Sequence, residues 1–84
     1  MEHYVVIHEW ACSGFMEDCG ANIIGIAHSL EEAKSLFNSV VIIEKELAVE
    51  NEYEVYEDND VMFDAGEEGY YVSNHTKLYI QKVS

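Results

Sequence analysis

The chain has 84 residues, which is the size of one domain, and 49% of them are hydrophobic, as in a folded domain rather than a disordered acidic tail. Its 17 acidic residues face four lysines and no arginine, so the formal net charge is −13. A chain without a basic surface does not displace counterions from a phosphate backbone, which argues against direct nucleic acid binding and against attraction to an anionic membrane.

The first third of the chain predicts two strands. Residues 3–11 (HYVVIHEWA) alternate with apolar side chains on both faces, which is typical of a strand in the interior of a sheet. Residues 12–21 hold two glycines among polar residues and predict a loop that is long enough for a wide hairpin. Residues 22–27 (NIIGIA) predict the second strand, in which Gly25 indicates a bulge or a close approach of another element.

The clearest local signal is a capping box formed by Ser29 and Glu32. The serine oxygen can accept from the Glu32 amide, and the Glu32 carboxylate can reach back to the Ser29 amide. This signal predicts a helix from Leu30 to Val49. Its expected core stripe, spaced by three and four, consists of Ala33, Leu36, Phe37, Val40, Ile43 and Leu47.

The β-branched run VVII at residues 40–43 leaves two interpretations of this helix open. The helix could break near Asn38 and Ser39, or it could continue with Ile42 pointing away from the core stripe toward a second buried surface. The helix-prone segment EKELA follows directly and favours one continuous helix. The Ile42 side would then be free to contact a second subunit, which makes self-association and a homodimer one expectation.

The second half of the chain changes to a period of two. Tyr53 to Tyr56 predict a strand, residues 69–73 a short strand, residues 74–75 a turn and residues 76–82 a final strand. Between them, residues 56–71 (YEDNDVMFDAGEEGYY) are expected to form a long acidic loop that holds a short edge strand at residues 61–63. The expected fold is therefore a single α+β domain over residues 1–84. One long helix packs on a mostly antiparallel sheet of four to five strands, in the order β-β-α-β-(β)-β.

One interpretation of the acidic stretch is a calcium-binding site. An EF-hand loop needs oxygen ligands at positions one, three and five, then glycine, then glutamate at twelve. A start at Asp58 places Met62 and Phe63 where a ligand and the glycine belong, so the template fails. A non-standard cation site of Asp58, Asp60 and Asp64 competes with solvated turn residues that bond their own backbone, and the latter interpretation is preferred.

The hypothesis of a metal-binding or thiol-dependent enzyme depends on the cysteines and histidines of the chain. Cys12 or Cys19 could act as a nucleophile with His8 or His75 as its base. Alternatively, both cysteines could bind a metal together with His8 and either His28 or His75. The spacing matches no zinc motif, and no nucleophile signature surrounds either cysteine. We therefore expect no catalytic residues, no metal and no cofactor, with this metal-binding or thiol-dependent enzyme kept as the alternative.

The carboxylates themselves carry the preferred hypothesis. Between residues 44 and 68 there are eleven of them and one lysine, interleaved with aromatic side chains. Such a surface can occupy a basic groove, in the extreme case by imitating the phosphates of DNA, whereas the simpler interpretation is a solvated face. The predicted partner is a basic protein surface. The predicted contact residues are Glu54, Tyr56, Glu57, Asp58, Asp60, Asp64, Glu67 and Glu68.

Five segments carry a resemblance over nearly the whole chain: YVVIHEWA, IIGIAHSLEEAK, YEVYEDND, FDAGEEGYY and HTKLYIQKV. Together they resemble a group of small acidic proteins of bacterial genomes and their mobile elements, a group with no established activity. The resemblance implies a bacterial or phage-related origin and carries over no functional residue. Because the start of the chain is not a basic signal-peptide region and no stretch has transmembrane length, a cytoplasmic location is expected.

Overall fold

The computed structural model describes residues 3–13, 18–68 and 73–83. In chain order, these residues form two strands, one helix and three further strands, which confirms the predicted α+β class. The elements are β1 (His3–Ser13), β2 (Asp18–Ala27), α1 (Leu30–Glu50), β3 (Glu54–Asp58), β4 (Met62–Glu68) and β5 (Ser73–Val83).

The five strands form one sheet in the order β2-β1-β5-β4-β3, and every neighbouring pair is antiparallel. Strand β1 pairs with β2 on one side and with β5 on the other, as predicted for an interior strand. The β1–β5 ladder runs from His3 opposite Val83 to Ser13 opposite Ser73. Strands β2 and β3 are the two edges of this sheet.

The helix begins at the predicted cap. The Glu32 amide donates to Ser29 Oγ at 3.1 Å, while the Glu32 carboxylate accepts from the amide of His28 at 3.3 Å, one residue earlier than the capping box predicts. The helix continues unbroken through residues 40–43 to Glu50, which confirms the continuous interpretation. In the part of the chain that the structure describes, no helix combines the length and apolar character needed to cross a membrane.

The helix covers one face of the sheet. Phe37 is buried together with Val6, Phe63 and Leu78 from β1, β4 and β5, and this cluster is the core of the domain. Gly25 lies under the helix at a shift in the β1–β2 register, where an added Cβ would meet Leu36 at 2.5 Å. The predicted bulge and the predicted close approach are therefore both present.

The predicted core stripe is wrong in the second half of the helix. Ile43 and Leu47 are exposed, and Val41 and Ala48 are buried in their place. The buried positions 33, 37, 41 and 48 follow a row spaced mainly by four, so the face toward the sheet is rotated from the one that the larger side chains suggest. Ile42 points away from the sheet, as predicted.

Several predicted loops are strand. In the predicted loop over residues 12–21, positions 12–13 and 18–21 extend β1 and β2. The predicted turn at residues 74–75 lies inside β5. The acidic stretch holds β4, which pairs with both β3 and β5 and so is an interior strand rather than the expected short edge strand. The predicted strand over residues 69–73 lies outside the described residues except for Ser73.

The core assignment gives a direct stability test. We expect Phe37→Ala to lower the free energy of unfolding by about 3 to 5 kcal/mol, because it removes buried apolar area and leaves a cavity between helix and sheet. Ile42→Ala, on the exposed side of the same helix, should cost less than about 1 kcal/mol. Urea unfolding followed by circular dichroism measures both values. Equal losses would contradict the assignment of the helix face.

Candidate functional site

Strand β3 presents the predicted contact residues at one edge of the sheet. All five of its residues, Glu54–Asp58, are exposed, and Asp60 follows in the exposed turn to β4. Tyr56 lies at a shift in the β3–β4 register, and its ring approaches that of His75 with centroids 6.4 Å apart. The five predicted contact residues from Glu54 to Asp60 therefore share one edge of the sheet but not one face. Asp58 pairs with the buried Phe63 and so lies on the helix side, whereas Glu54 and Glu57 pair with Gly66 and Asp64 and lie on the opposite face.

The three predicted residues on β4 lie one strand further in. Asp64 forms a short hydrogen bond with the His75 ring, and Glu67 accepts from the Asn74 side chain at 2.7 Å. Glu68 ends the strand, and its side chain is outside the described part. Because β3 separates β4 from the edge, these residues are not part of the exposed row on β3.

The carboxylates of the edge differ in whether they are already paired. Asp58 forms an ion pair with Lys45 at 3.0 Å, and Asp60 lies 4.0 Å from Lys34. Within residues 3–13, 18–68 and 73–83, no ion pair closer than 4.0 Å includes Glu54 or Glu57. These two side chains are the strongest candidates for an intermolecular ion pair.

The C-terminal end of α1 extends the negative surface. The amide of Glu52 donates to the carbonyl of Val49, and the amide of Tyr53 donates to that of Ala48, which is the bonding pattern of a Schellman motif. Glu52 occupies the position of this motif that has a left-handed backbone conformation, with a φ angle of 58°. Glycine is favoured there, since a side chain costs about 1 kcal/mol in that conformation.

The charges at this helix end add a further energetic cost. The helix carries no basic residue in its last turn, and Glu50 and Glu52 sit at the negative end of the helix dipole. We call the exposed carboxylates of the helix end, of β3 and of the turn after β3 the acidic edge. Its members are Glu50, Glu52, Glu54, Glu57, Asp58 and Asp60.

An apolar groove separates the helix from β3 along the acidic edge. It encloses about 210 Å³, and its apolar lining comes from Ala48, Val49, Tyr53, Val55 and Phe63. Val49 is 80% exposed and Val55 is 49% exposed, so both lose water if a side chain enters the groove. The ion pair of Lys45 with Asp58 also lines it.

The turn after β3 uses its polar atoms locally. Asn59 Oδ1 accepts from the amides of Val61 and Met62 at 2.9 and 3.0 Å, as in the turn interpretation of this stretch. Asp58, Asp60 and Asp64 approach three different partners. Among the described residues, no group of three histidine, cysteine or acidic side chains is placed to hold a metal ion.

The four cysteine and histidine side chains of the enzyme alternative do not all lie in one pocket. His8 and Cys12 lie an even number of positions from Val6 along β1, so all three side chains lie on the face that the helix covers. Cys19 and His75 both pair with Ala11, so they lie on the opposite face, separated by β1. Both thiols are free. Strand alternation puts His8 and Cys12 on one face and Cys19 and His75 on the other, so the four side chains do not form one site, while Cys19 and His75 line the same shallow pocket across β1.

His8 instead ties the sheet to the helix. Its Nε2 lies 2.8 Å from Thr76 Oγ1 and 3.5 Å from a carboxylate oxygen of Glu44. Thr76 Oγ1 in turn donates to Glu44 at 3.3 Å. The polar atoms of these three part-buried side chains therefore bond to one another. This explains why the charged Glu44 can lie on the side of the helix that faces the sheet.

No known protein family, curated protein or solved structure matches this chain. Sequence reasoning found the β3 carboxylates but missed Glu50, Glu52, Val49 and Val55. The charge run from residue 44 was a usable signal for the two glutamates, whereas the groove depends on how the helix end meets β3.

Glu52 provides a test of the cost at the helix end. We expect Glu52→Gly to raise the free energy of unfolding by about 1 kcal/mol, because it relieves the left-handed side chain and removes a charge from the dipole. Glu52→Ala removes the charge and keeps the backbone cost, so its gain should be smaller. Chemical unfolding at low ionic strength measures both variants. A loss of stability in Glu52→Gly would contradict this assignment.

Tyr79 provides a pH test on the open face of the sheet. Its hydroxyl donates to Glu9 at 2.8 Å, and this bond, followed by burial, raises the pKa of Tyr79 above its ordinary value. A raised pKa means that the neutral phenol stabilises the fold below about pH 10 and that this stabilisation is lost as pH rises through the folded-state pKa. We expect the free energy of unfolding of Tyr79→Phe to fall less steeply with rising alkaline pH than that of the wild type. Parallel profiles would contradict the bond.

Proposed function

We propose that this protein is a non-catalytic binding domain whose acidic edge docks on a basic protein surface. The observation that carries the proposal is the placement of Glu50 and Glu52. Both lie at the negative end of the helix dipole, and Glu52 also holds an unfavourable backbone conformation. Charges that cost stability in the free protein are accounted for if they contribute to binding.

The edge strand supplies the second argument. An exposed strand edge invites pairing with another chain, and the carboxylates of β3 oppose pairing with a second copy of the same acidic edge. They favour a partner segment rich in lysine or arginine, which gains electrostatic attraction as it approaches. Glu54 and Glu57 supply the charges for the first contact.

The groove beside β3 supplies the third argument. Electrostatic attraction in water is weak, so a stable complex also needs apolar contact. The groove lined by Val49, Val55 and Phe63 accepts an aliphatic side chain within reach of the acidic edge. The favoured partner therefore presents basic residues around one apolar anchor.

DNA-binding proteins are the partner class that this chemistry fits best, because their basic grooves already accommodate regularly spaced negative charges. In this proposal the acidic edge competes with DNA for such a groove. We place the activity in the cytoplasm of a bacterium, as an accessory protein of a phage or mobile element, in line with the resemblance and the acidic composition.

The experiment is competition between this protein and DNA for a panel of purified basic DNA-binding proteins. We expect the wild-type chain to displace DNA from at least one of them and Glu57→Lys to weaken that displacement about tenfold, because a repulsive charge replaces an attractive one. Glu31→Lys is the matched control, since Glu31 is also exposed, lies in the first helical turn and changes the net charge equally.

Two outcomes would refute the proposal. Failure of the wild-type chain to displace DNA from any member of the panel would show that DNA-binding proteins are not the partners. Equal weakening by Glu57→Lys and Glu31→Lys would show that net charge, rather than the acidic edge, governs the competition. Circular dichroism establishes that each variant is folded before it is compared.

A further inference from the structure

The face of the sheet opposite the helix carries a patch of apolar side chains. Val5 pairs with Ile26 and Ile7 pairs with Ile23 across the β1–β2 ladder, so the four side chains lie together on this face. Ile23 is 65% exposed and Ile26 is 61% exposed. We call these four residues the open-face patch.

This patch is unusual for a sheet with one uncovered face. Such sheets normally alternate apolar residues toward the core with polar residues toward water. Strand β1 departs from that pattern, because Val6 is fully buried under the helix while Val5 and Ile7 are apolar on the other face. Apolar residues on both faces of a strand are expected when both faces are covered.

We propose that a second copy of this chain covers the open-face patch, so that two sheets pack face to face with the helices outside. Residues 19–27 of β2 carry no charged side chain, although the chain has a net charge of −13. Since like charges repel, two copies approach each other most favourably through strands with little negative charge, and β5, like residues 19–27 of β2, carries no acidic residue. A basic partner, by contrast, gains nothing from these strands.

The position of the patch in the sheet supports the same occupant. The acidic edge flanks β3, at the opposite side of the sheet from β2. A two-fold axis along β1 places β1 against its own copy and β2 against β5 of the partner. The two β3 strands then lie at opposite ends of the dimer, where their negative charges are far apart and both remain accessible.

The area of this face meets the requirement for a dimer when Glu9 and Lys77, which flank the open-face patch, are counted with it. At about 3.3 Å per residue along a strand and about 4.8 Å between strands, β2, β1 and β5 present roughly 500 Å² on this face. Two copies together contribute about 1,000 Å², which is the lower size range of specific interfaces. Next to the patch, Tyr79 donates to Glu9 and lies 5.1 Å from the Lys77 ammonium, so the neighbouring charges are of opposite sign.

The test is sedimentation velocity of the full chain over a wide range of concentrations. We expect a species of twice 9.6 kDa whose dissociation constant rises more than about tenfold in Ile26→Glu, because a buried unpaired carboxylate is costly. Rising salt should strengthen the wild-type dimer by screening the negative charges of the two copies. Ile26 is exposed in the single chain, so this variant should fold normally.

Ile42→Glu is the matched control, because Ile42 is 57% exposed on the outer side of the helix. This variant should keep the wild-type dimer. A monomeric wild-type chain, or a dimer that survives Ile26→Glu, would overturn the proposal. A dimer that is disrupted by Ile42→Glu and not by Ile26→Glu would assign self-association to the helix and would overturn it as well. These outcomes are independent of binding at the acidic edge.

Discussion

The packing of one helix across one face of a five-stranded sheet is the constraint on which the rest of this structure depends. Phe37 contributes the largest helix side chain to the core and is buried with Val6, Phe63 and Leu78 from three different strands. The helix covers one face of the sheet, and among the described residues no other element covers the opposite face or the outer side of β3. Both proposed surfaces follow from that geometry, because each is a place where strand residues lack a covering element.

The two surfaces differ in the forces that they offer a partner. The acidic edge lies beside an apolar groove, and Glu50 and Glu52 within it stand at the negative end of the helix dipole, which is unfavourable for a negative charge. The open-face patch is apolar and uncharged. In our proposals, a basic protein therefore binds at the acidic edge, and a second acidic copy binds at the opposite side of the sheet. One small domain can serve both contacts because they lie at opposite sides of the same sheet.

The sequence was sufficient for the fold class, the helix start and the interior position of β1, because capping and alternation are local signals. It was insufficient for β4, whose acidic and glycine-rich sequence becomes a strand through pairing with two distant neighbours. It also misassigned Ile43 and Leu47, since the rotation of the helix depends on the sheet beneath it. At the site, the β3 carboxylates were predictable, whereas the Glu52 conformation and the groove depend on how the helix end meets β3.

In the proposed complex, the acidic edge binds a basic segment with an apolar anchor. The most direct measurement is a titration of the isotopically labelled protein with a synthetic peptide of alternating lysine and leucine, followed through its backbone amide chemical shifts. We expect the chemical shift changes to concentrate in residues 48–60, around the groove and β3, and to become smaller as the salt concentration rises. Changes that spread over all acidic residues, or that centre on Val5, Ile7, Ile23 and Ile26, would contradict it.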